Sequence, residues 1–191
     1  SLVGSEMCIR DRVWLKNLSI FSWLYYGDKV KTIAVIGWKN SGKTTLVSNL
    51  VKFFKENKIK VGVVKHAHHS FDIDHPNTDS YKIRKSGAYK TTLVSDKRLA
   101  FIEEKAESHI NLEHLVEINK DCDLLIFEGF KRFDDLIKLE VSLQKNNKDY
   151  LYKSINNVKY IVTDDNIDHP IQTFNHSQIE KIASKIYYEN S

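Results

Sequence analysis

Gly37-Trp38-Lys39-Asn40-Ser41-Gly42-Lys43-Thr44 is the stretch on which the reading of this chain turns. It fills every fixed position of G-x-x-x-x-G-K-[ST], the pattern of a loop that cradles phosphate groups. Its flanks agree. Lys31-Thr32-Ile33-Ala34-Val35-Ile36 is a continuous, β-branched apolar run, as expected of a strand buried on both faces. Beyond the loop a helix is predicted from about Lys43 to Asn57, with Leu46, Val47, Leu50, Val51 and Phe54 at helical spacing. The chemistry explains the residue types. Glycines at 37 and 42 let the backbone turn, so that N–H groups around Asn40 and Ser41 line an anion-sized concavity at the positive end of that helix. Lys43 then reaches the β- and γ-phosphates, and the Thr44 hydroxyl ligates magnesium.

Working outward, strands and helices alternate. A second strand is expected over Lys60 to Lys65, then a polar loop from His66 to Asn77 and a short helix through Tyr81 and Ile83 closed by Gly87. Lys90 to Ser95 and Arg98 to Glu103, split by Asp96-Lys97, read as a hairpin. Asn111 is placed to cap a helix carrying Leu112, Leu115, Val116 and Ile118. Asp123 to Phe127 is the most apolar strand, followed by strands near Ile137 to Leu143 and Val158 to Val162. A last helix is predicted from a capping box, Ser177 with Glu180, and a stripe of Ile179, Ile182, Ala183 and Ile186. The alternation implies an α/β fold, a mostly parallel sheet with helices on both faces, of the P-loop NTPase type.

A metal bridging two phosphates needs a carboxylate near the loop. Glu128 ends the apolar run Leu124-Leu125-Ile126-Phe127, and Gly129 behind it allows close backbone approach. Glu128 is therefore the candidate for holding the metal or the attacking water. The segment Lys65-His66-Ala67-His68-His69-Ser70-Phe71-Asp72-Ile73-Asp74-His75-Pro76 reads three ways. Its histidines suit zinc or nickel, Asp72 and Asp74 suit an approach to magnesium and phosphates, and the plain alternative is a solvated loop. The strand at Tyr160-Ile161-Val162 ends in Thr163-Asp164-Asp165 with no Asn-Lys-x-Asp run after it. An aspartate there either accepts from the guanine edge or simply closes a turn.

Composition bounds the rest. The 191 residues are 41% apolar and 28% charged, ordinary for one globular domain with or without an appendage. Twenty-nine basic against 25 acidic side chains leave a net charge of +4, with the lysines spread along the chain. Charge alone thus suggests neither nucleic acid nor a membrane surface as partner. Two cysteines, Cys8 and Cys122, are too few for a disulfide framework and fit a reducing, cytoplasmic setting. The apolar run Leu18 to Tyr26 is too short to span a bilayer and has no small-residue cleavage site after it. Residues 1–28 are expected to be a leader outside the fold, non-native or disordered, with 29–191 forming the nucleotide-binding domain. Gly4-Ser5-Glu6-Met7-Cys8-Ile9-Arg10-Asp11-Arg12 resembles a translated adapter artefact at the end of an assembled read, the alternative being an amphipathic arm.

Three motifs in order suggest a family. The phosphate loop, Lys65-His66-Ala67-His68-His69-Ser70-Phe71-Asp72-Ile73-Asp74 running on to Arg84-Lys85-Ser86-Gly87-Ala88, and Leu124-Leu125-Ile126-Phe127-Glu128-Gly129-Phe130-Lys131 together resemble the molybdopterin-guanine dinucleotide biosynthesis adapter family, MobB, over about Lys31 to Glu189. The resemblance implies GTP and Mg2+ as ligands, weak hydrolysis, a homodimer, and assistance to a MobA-like molybdopterin guanylyltransferase acting on molybdopterin pathway intermediates. Carried onto this chain, Gly37, Gly42, Lys43, Thr44 and Thr45 hold phosphates and metal, Asp74 and Glu128 face them, and His66 and Arg84 line the cleft. Relatives usually read Pro-Gly-Lys-Asp where this chain has Pro76-Asn77-Thr78-Asp79, so the lysine of that motif has no counterpart here. Two other functions use the same loop. A small-molecule kinase needs a lid with arginines, and Lys131 and Arg132 after Glu128 are few. A GTP-driven metal-delivery protein would use His66, His68 and His69.

Overall fold

Alternate residues of one strand divide the core. In β1 (Lys31–Ile36), Ile33 and Val35 face one apolar cluster while Ala34 and Ile36 face another, all four essentially buried. The computed structural model describes residues 30–67, 71–104, 111–143, 148–166 and 168–189; the expected leader, 1–28, lies outside them. After β1 come α1 (Lys43–Glu56), β2 (Val61–Lys65), α2 (Asp79–Lys85), β3 (Lys90–Ser95), β4 (Arg98–Glu103) and α3 (Leu112–Glu117). They are followed by β5 (Leu124–Glu128), β6 (Lys138–Val141), a 3-10 turn (Leu151–Lys153), β7 (Val158–Val162), β8 (Gln172–Phe174) and α4 (Ile179–Tyr187). Six strands form one sheet in the order β2-β5-β1-β6-β7-β8, and every pairing in it is parallel. Strands β3 and β4 pair antiparallel as a separate hairpin, as expected.

Helices cover both faces. Leu46, Val47, Leu50 and Phe54 of α1 and Ile182, Ala183 and Ile186 of α4 pack on the Ile33/Val35 side. Leu112, Leu115 and Val116 of α3 pack on the Ala34/Ile36 side beside Phe127 and Phe130. Each such large side chain removed from water is worth about 1.5–3 kcal/mol. The residue alternation of β1 and β5 therefore fixes which helix lies on which face.

Helix α1 stops at a left-handed residue although that residue is not glycine. Lys58 takes φ 62°, the Ile59 N–H donates to the Phe54 carbonyl at 2.9 Å and the Lys58 N–H to the Lys55 carbonyl at 3.1 Å. That pair of bonds is a Schellman closure. At α3 the expected cap forms, with Asn111 Oδ1 accepting from the Glu113 N–H at 2.8 Å and the His114 N–H at 3.4 Å. At α4 the expected capping box does not form. Gln178 is the N-cap with no side-chain cap bond, and Asn175 Oδ1 takes the Ser177 N–H at 3.0 Å and its hydroxyl at 3.1 Å. An Asx turn one step earlier has captured Ser177. Strand β8 was not expected from the sequence, because Gln172-Thr173-Phe174 is short and mostly polar and pairs only as an edge of the sheet.

Candidate functional site

The phosphate loop closes β1 onto α1 with unusual backbone. Gly37 lies so close to its surroundings that a Cβ there would sit 2.4 Å from both Ser41 Oγ and the Val141 carbonyl oxygen. Asn40 at φ 60° and Gly42 at φ 91° are both left-handed. The first α1 bond runs from the Leu46 N–H to the Gly42 carbonyl at 3.0 Å, leaving the amides of Lys43, Thr44 and Thr45 without an acceptor inside the helix. Ser41 Oγ is buried with no hydrogen-bond partner among the described residues. Asn40, Ser41, Gly42, Lys43, Thr44, Thr45 and Leu143 line a cleft of about 410 Å³.

The side chains converge on its floor. Lys43 Nζ folds back to donate to the Trp38 carbonyl at 2.7 Å and the Gly37 carbonyl at 3.3 Å. Thr44 Oγ1 donates to Glu128 Oε1 at 3.0 Å, so the expected loop and acid meet. Lys65 Nζ, from the end of β2, lies 3.1 Å from the same Oε1 and 3.4 Å from Thr44 Oγ1. Burial pushes the Lys43 ammonium below the ordinary lysine range; Glu128 pulls it back, and Lys131 and Lys65 push it further down. Lys131 itself lies with Nζ 4.6 Å from the Trp38 ring centre and is pushed down by burial. Lys65 and Lys131 thus crowd Lys43 beside Glu128, a gathering of positive charge suited to a polyanion.

His66 stands beside this group. Its N–H donates to the Glu128 carbonyl at 3.0 Å and its ring meets Phe130 edge-on at 5.6 Å. Gly129 serves by its left-handed φ of 97°, since a Cβ there would meet His66 Cβ at an ordinary 3.6 Å. Asp74 and Arg84 come together around α2 instead. Asp74 Oδ1 accepts from Ser80 Oγ at 2.9 Å, Thr78 Oγ1 at 3.0 Å and the His75 N–H at 3.1 Å. Burial pushes its carboxyl up, but the hydroxyls of Ser80 and Thr78 and the His75 N–H prevail and hold it below the usual range. Arg84 is buried, with bonds of 2.7 Å to Glu104 and of 2.7 and 2.6 Å to the two oxygens of Asp72, which hold its guanidinium firmly protonated. Its Nε approaches Asp74 Oδ2 at 3.7 Å. Arg84 is therefore the tie between the hairpin and the acidic loop. The altered motif also finds its reason: Asn77 adopts φ 75° as a glycine would, and Thr78 caps α2 by accepting from the Tyr81 N–H at 3.2 Å.

Asp165 accepts from the Tyr150 hydroxyl and lies 3.1 Å from His169 Nε2, while Asp164 is exposed. His68 and His69 lie outside the described residues, and among those described no group of three His, Cys, Asp or Glu side chains could hold a metal. Lys65 is the residue of this cluster that the sequence reading left without a role. Its signal is the parallel register, which sets Lys65 opposite Glu128.

Residues 32–164 match the family MobB, molybdopterin guanine dinucleotide synthesis protein B. The chain belongs to the MobB family. It is 36% identical over 105 residues to the molybdopterin-guanine dinucleotide biosynthesis adapter protein of Escherichia coli (strain K12), covering 53% of this chain and 60% of that protein. It is 30% identical over 115 residues to the same-named protein of Haemophilus influenzae, covering 59% and 64%. The chain thus matches less than two thirds of the length of either relative. A crystal structure of molybdopterin-guanine biosynthesis protein B superposes with a TM-score of 0.65 at 28% identity, over 83% of this chain and 99% of that one. The Bacillus subtilis MobB structure, at 20% identity and a TM-score of 0.65, shares the fold. The MobB family is one of nucleotide-binding P-loop proteins, and no helix among the described residues is long and apolar enough to cross a membrane.

Proposed function

We propose that this chain binds GTP with Mg2+ at Gly37, Asn40, Ser41, Gly42, Lys43, Thr44, Thr45 and Glu128, hydrolyses it slowly, and acts as an adapter for the attachment of GMP to molybdopterin. The observation that carries the nucleotide is the convergence of Lys43, Thr44 and Glu128 under free helix amides. The residues fit the group. An orphaned buried hydroxyl at Ser41, a loop too tight for a Cβ at Gly37 and surplus lysine charge all favour a bound polyphosphate. Mg2+ held at Thr44 and Glu128 would neutralise charge developing between the β- and γ-phosphates. The loop amides orient the phosphates, Lys43 leaves its two carbonyls to meet them, and Glu128 is placed to hold a water. The adapter role and a guanylyltransferase partner rest on the relatives' names. A homodimer is supported by the hairpin, whose Val94 and Leu99 are 80% and 69% exposed.

Slow turnover follows from the arginines. Arg84 is tied to three acids, Arg98 lies exposed in β4, and Arg132 is exposed beyond Glu128. Without an arginine finger, steady-state GTP hydrolysis by the isolated protein should fall well below the roughly 1–100 s⁻¹ of kinases. The assay is run at saturating Mg2+, alone and with a molybdopterin guanylyltransferase. Fast turnover alone, or phosphate passed to a small acceptor, would favour a kinase instead.

A further inference from the structure

Lys65 and Glu128 are register partners in neighbouring parallel strands, and both side chains reach the mouth of the phosphate loop. The three atoms involved form a closed group. Thr44 Oγ1 and Glu128 Oε1 are 3.0 Å apart, and Lys65 Nζ caps both, at 3.4 and 3.1 Å. These are the two oxygens assigned above to Mg2+. A divalent ion held at about 2.0–2.1 Å from such oxygens needs the space and the lone pairs that the ammonium now uses. Burial differs sharply between the partners: the Glu128 side chain is 8% exposed and that of Lys65 is 58% exposed. The acid is fixed, whereas the lysine arrives from solvent on a long stem and can withdraw into it.

We propose that Lys65 is an internal cation standing in for the divalent metal, so that metal binding and displacement of Lys65 are one event. The proposal rests on the metal–nucleotide reading of the site. The ammonium offsets the charge of the nearly buried Glu128 carboxylate directly, at 3.1 Å, beside the Thr44 hydroxyl. It also keeps Thr44 and Glu128 at the spacing the metal needs. The consequence is selectivity for a metal that comes with its polyphosphate. A lone divalent ion must expel a cation from its own ligands, whereas a metal–nucleotide brings negative charge to receive the displaced lysine. An ordinary surface ion pair would affect melting temperature and leave metal affinity alone.

Mn2+ serves as the probe, its free concentration read by electron paramagnetic resonance on the full chain without nucleotide. Lys65→Met should bind Mn2+ at least tenfold more tightly than the unaltered protein. The neutral variant escapes the cost of breaking the charge-assisted Lys65 contacts to Glu128 and Thr44 before the ion can enter. Lys65→Arg should stay near the original affinity, and Thr44→Ala in the Lys65→Met background should abolish the gain. Lys65→Gln provides a second neutral variant if Lys65→Met fails to fold. Equal Mn2+ affinity with and without the lysine charge, or a gain insensitive to Thr44, would overturn the proposal. Calorimetry of the unaltered protein with Mg2+ and GTP separates the two levels. Absent binding there overturns the nucleotide reading, while the Mn2+ series alone decides the role of Lys65.

Discussion

Glu140 shows how a single buried acid ties the nucleotide end of the sheet to its neighbour. Its two oxygens accept the Leu151 N–H at 2.7 Å and the Tyr152 N–H at 2.9 Å, fixing the turn that precedes β7. Burial pushes its carboxyl above the usual range, and the two amides, with His169 and Lys131, offset part of that push. A folded-state value above the unfolded one means stability is fully present below about pH 4.5 and lost as pH rises through the folded value. Glu140→Gln removes that dependence and turns an NH2 toward one of the amides, costing about 1–3 kcal/mol. In urea melts from pH 4.5 to 8, the gap between the unaltered protein and Glu140→Gln should therefore narrow as pH rises. A gap that widens would mean the carboxylate is stabilising in its charged form.

Elements were readable from the sequence where one signal ruled them. Helix α1 has both its apolar stripe and its phosphate loop, and β5 is buried throughout, so both lie within a residue or two of expectation. The hairpin is placed to the residue because Asp96-Lys97 splits two strand-like runs. What escaped were long-range or competitive choices. Lys65 joins the site only through pairing between β2 and β5, 63 residues apart in the register Lys65↔Glu128. Ser177 had two capping geometries open to it, and Asn175 won. The loop and Glu128 were readable together, but the clustering of Asp72, Asp74, Arg84 and Glu104 around α2 depends on how the hairpin folds back. Helix closure offers a test at this scale. Lys58 holds a left-handed conformation in a Schellman motif where glycine is the usual choice. Lys58→Gly should stabilise the protein by about 0.5–1 kcal/mol in denaturant melts, the relieved strain exceeding glycine's entropy cost. A loss of stability would mean that the lysine side chain matters more than its backbone.

At the scale of the whole molecule, among the described residues β1 is covered on one face by α1 and α4 and on the other by α3. We propose residues 29–191 as the nucleotide-binding domain. Removing 1–28 should change neither melting temperature nor nucleotide affinity appreciably. The shortened chain should sediment as a dimer, and Leu99→Lys on the exposed hairpin should shift it toward monomer. Insolubility of the shortened chain would make the leader part of the fold, and an unchanged dimer in Leu99→Lys would move the interface elsewhere.

In the proposed function the phosphate loop binds a nucleoside triphosphate with magnesium through Lys43. Charge-assisted contacts of this kind are worth about 1.5–3 kcal/mol each, so losing the lysine should weaken binding at least about tenfold. The most direct measurement is titration calorimetry of GTP with Mg2+ into the unaltered protein and into Lys43→Ala, with ATP and GDP titrated in parallel to rank the base and the γ-phosphate. The expected result is magnesium-dependent GTP binding that falls at least tenfold in a Lys43→Ala protein with an unchanged melting temperature. Equal affinity in a folded Lys43→Ala, or no triphosphate binding by the unaltered chain, would contradict it.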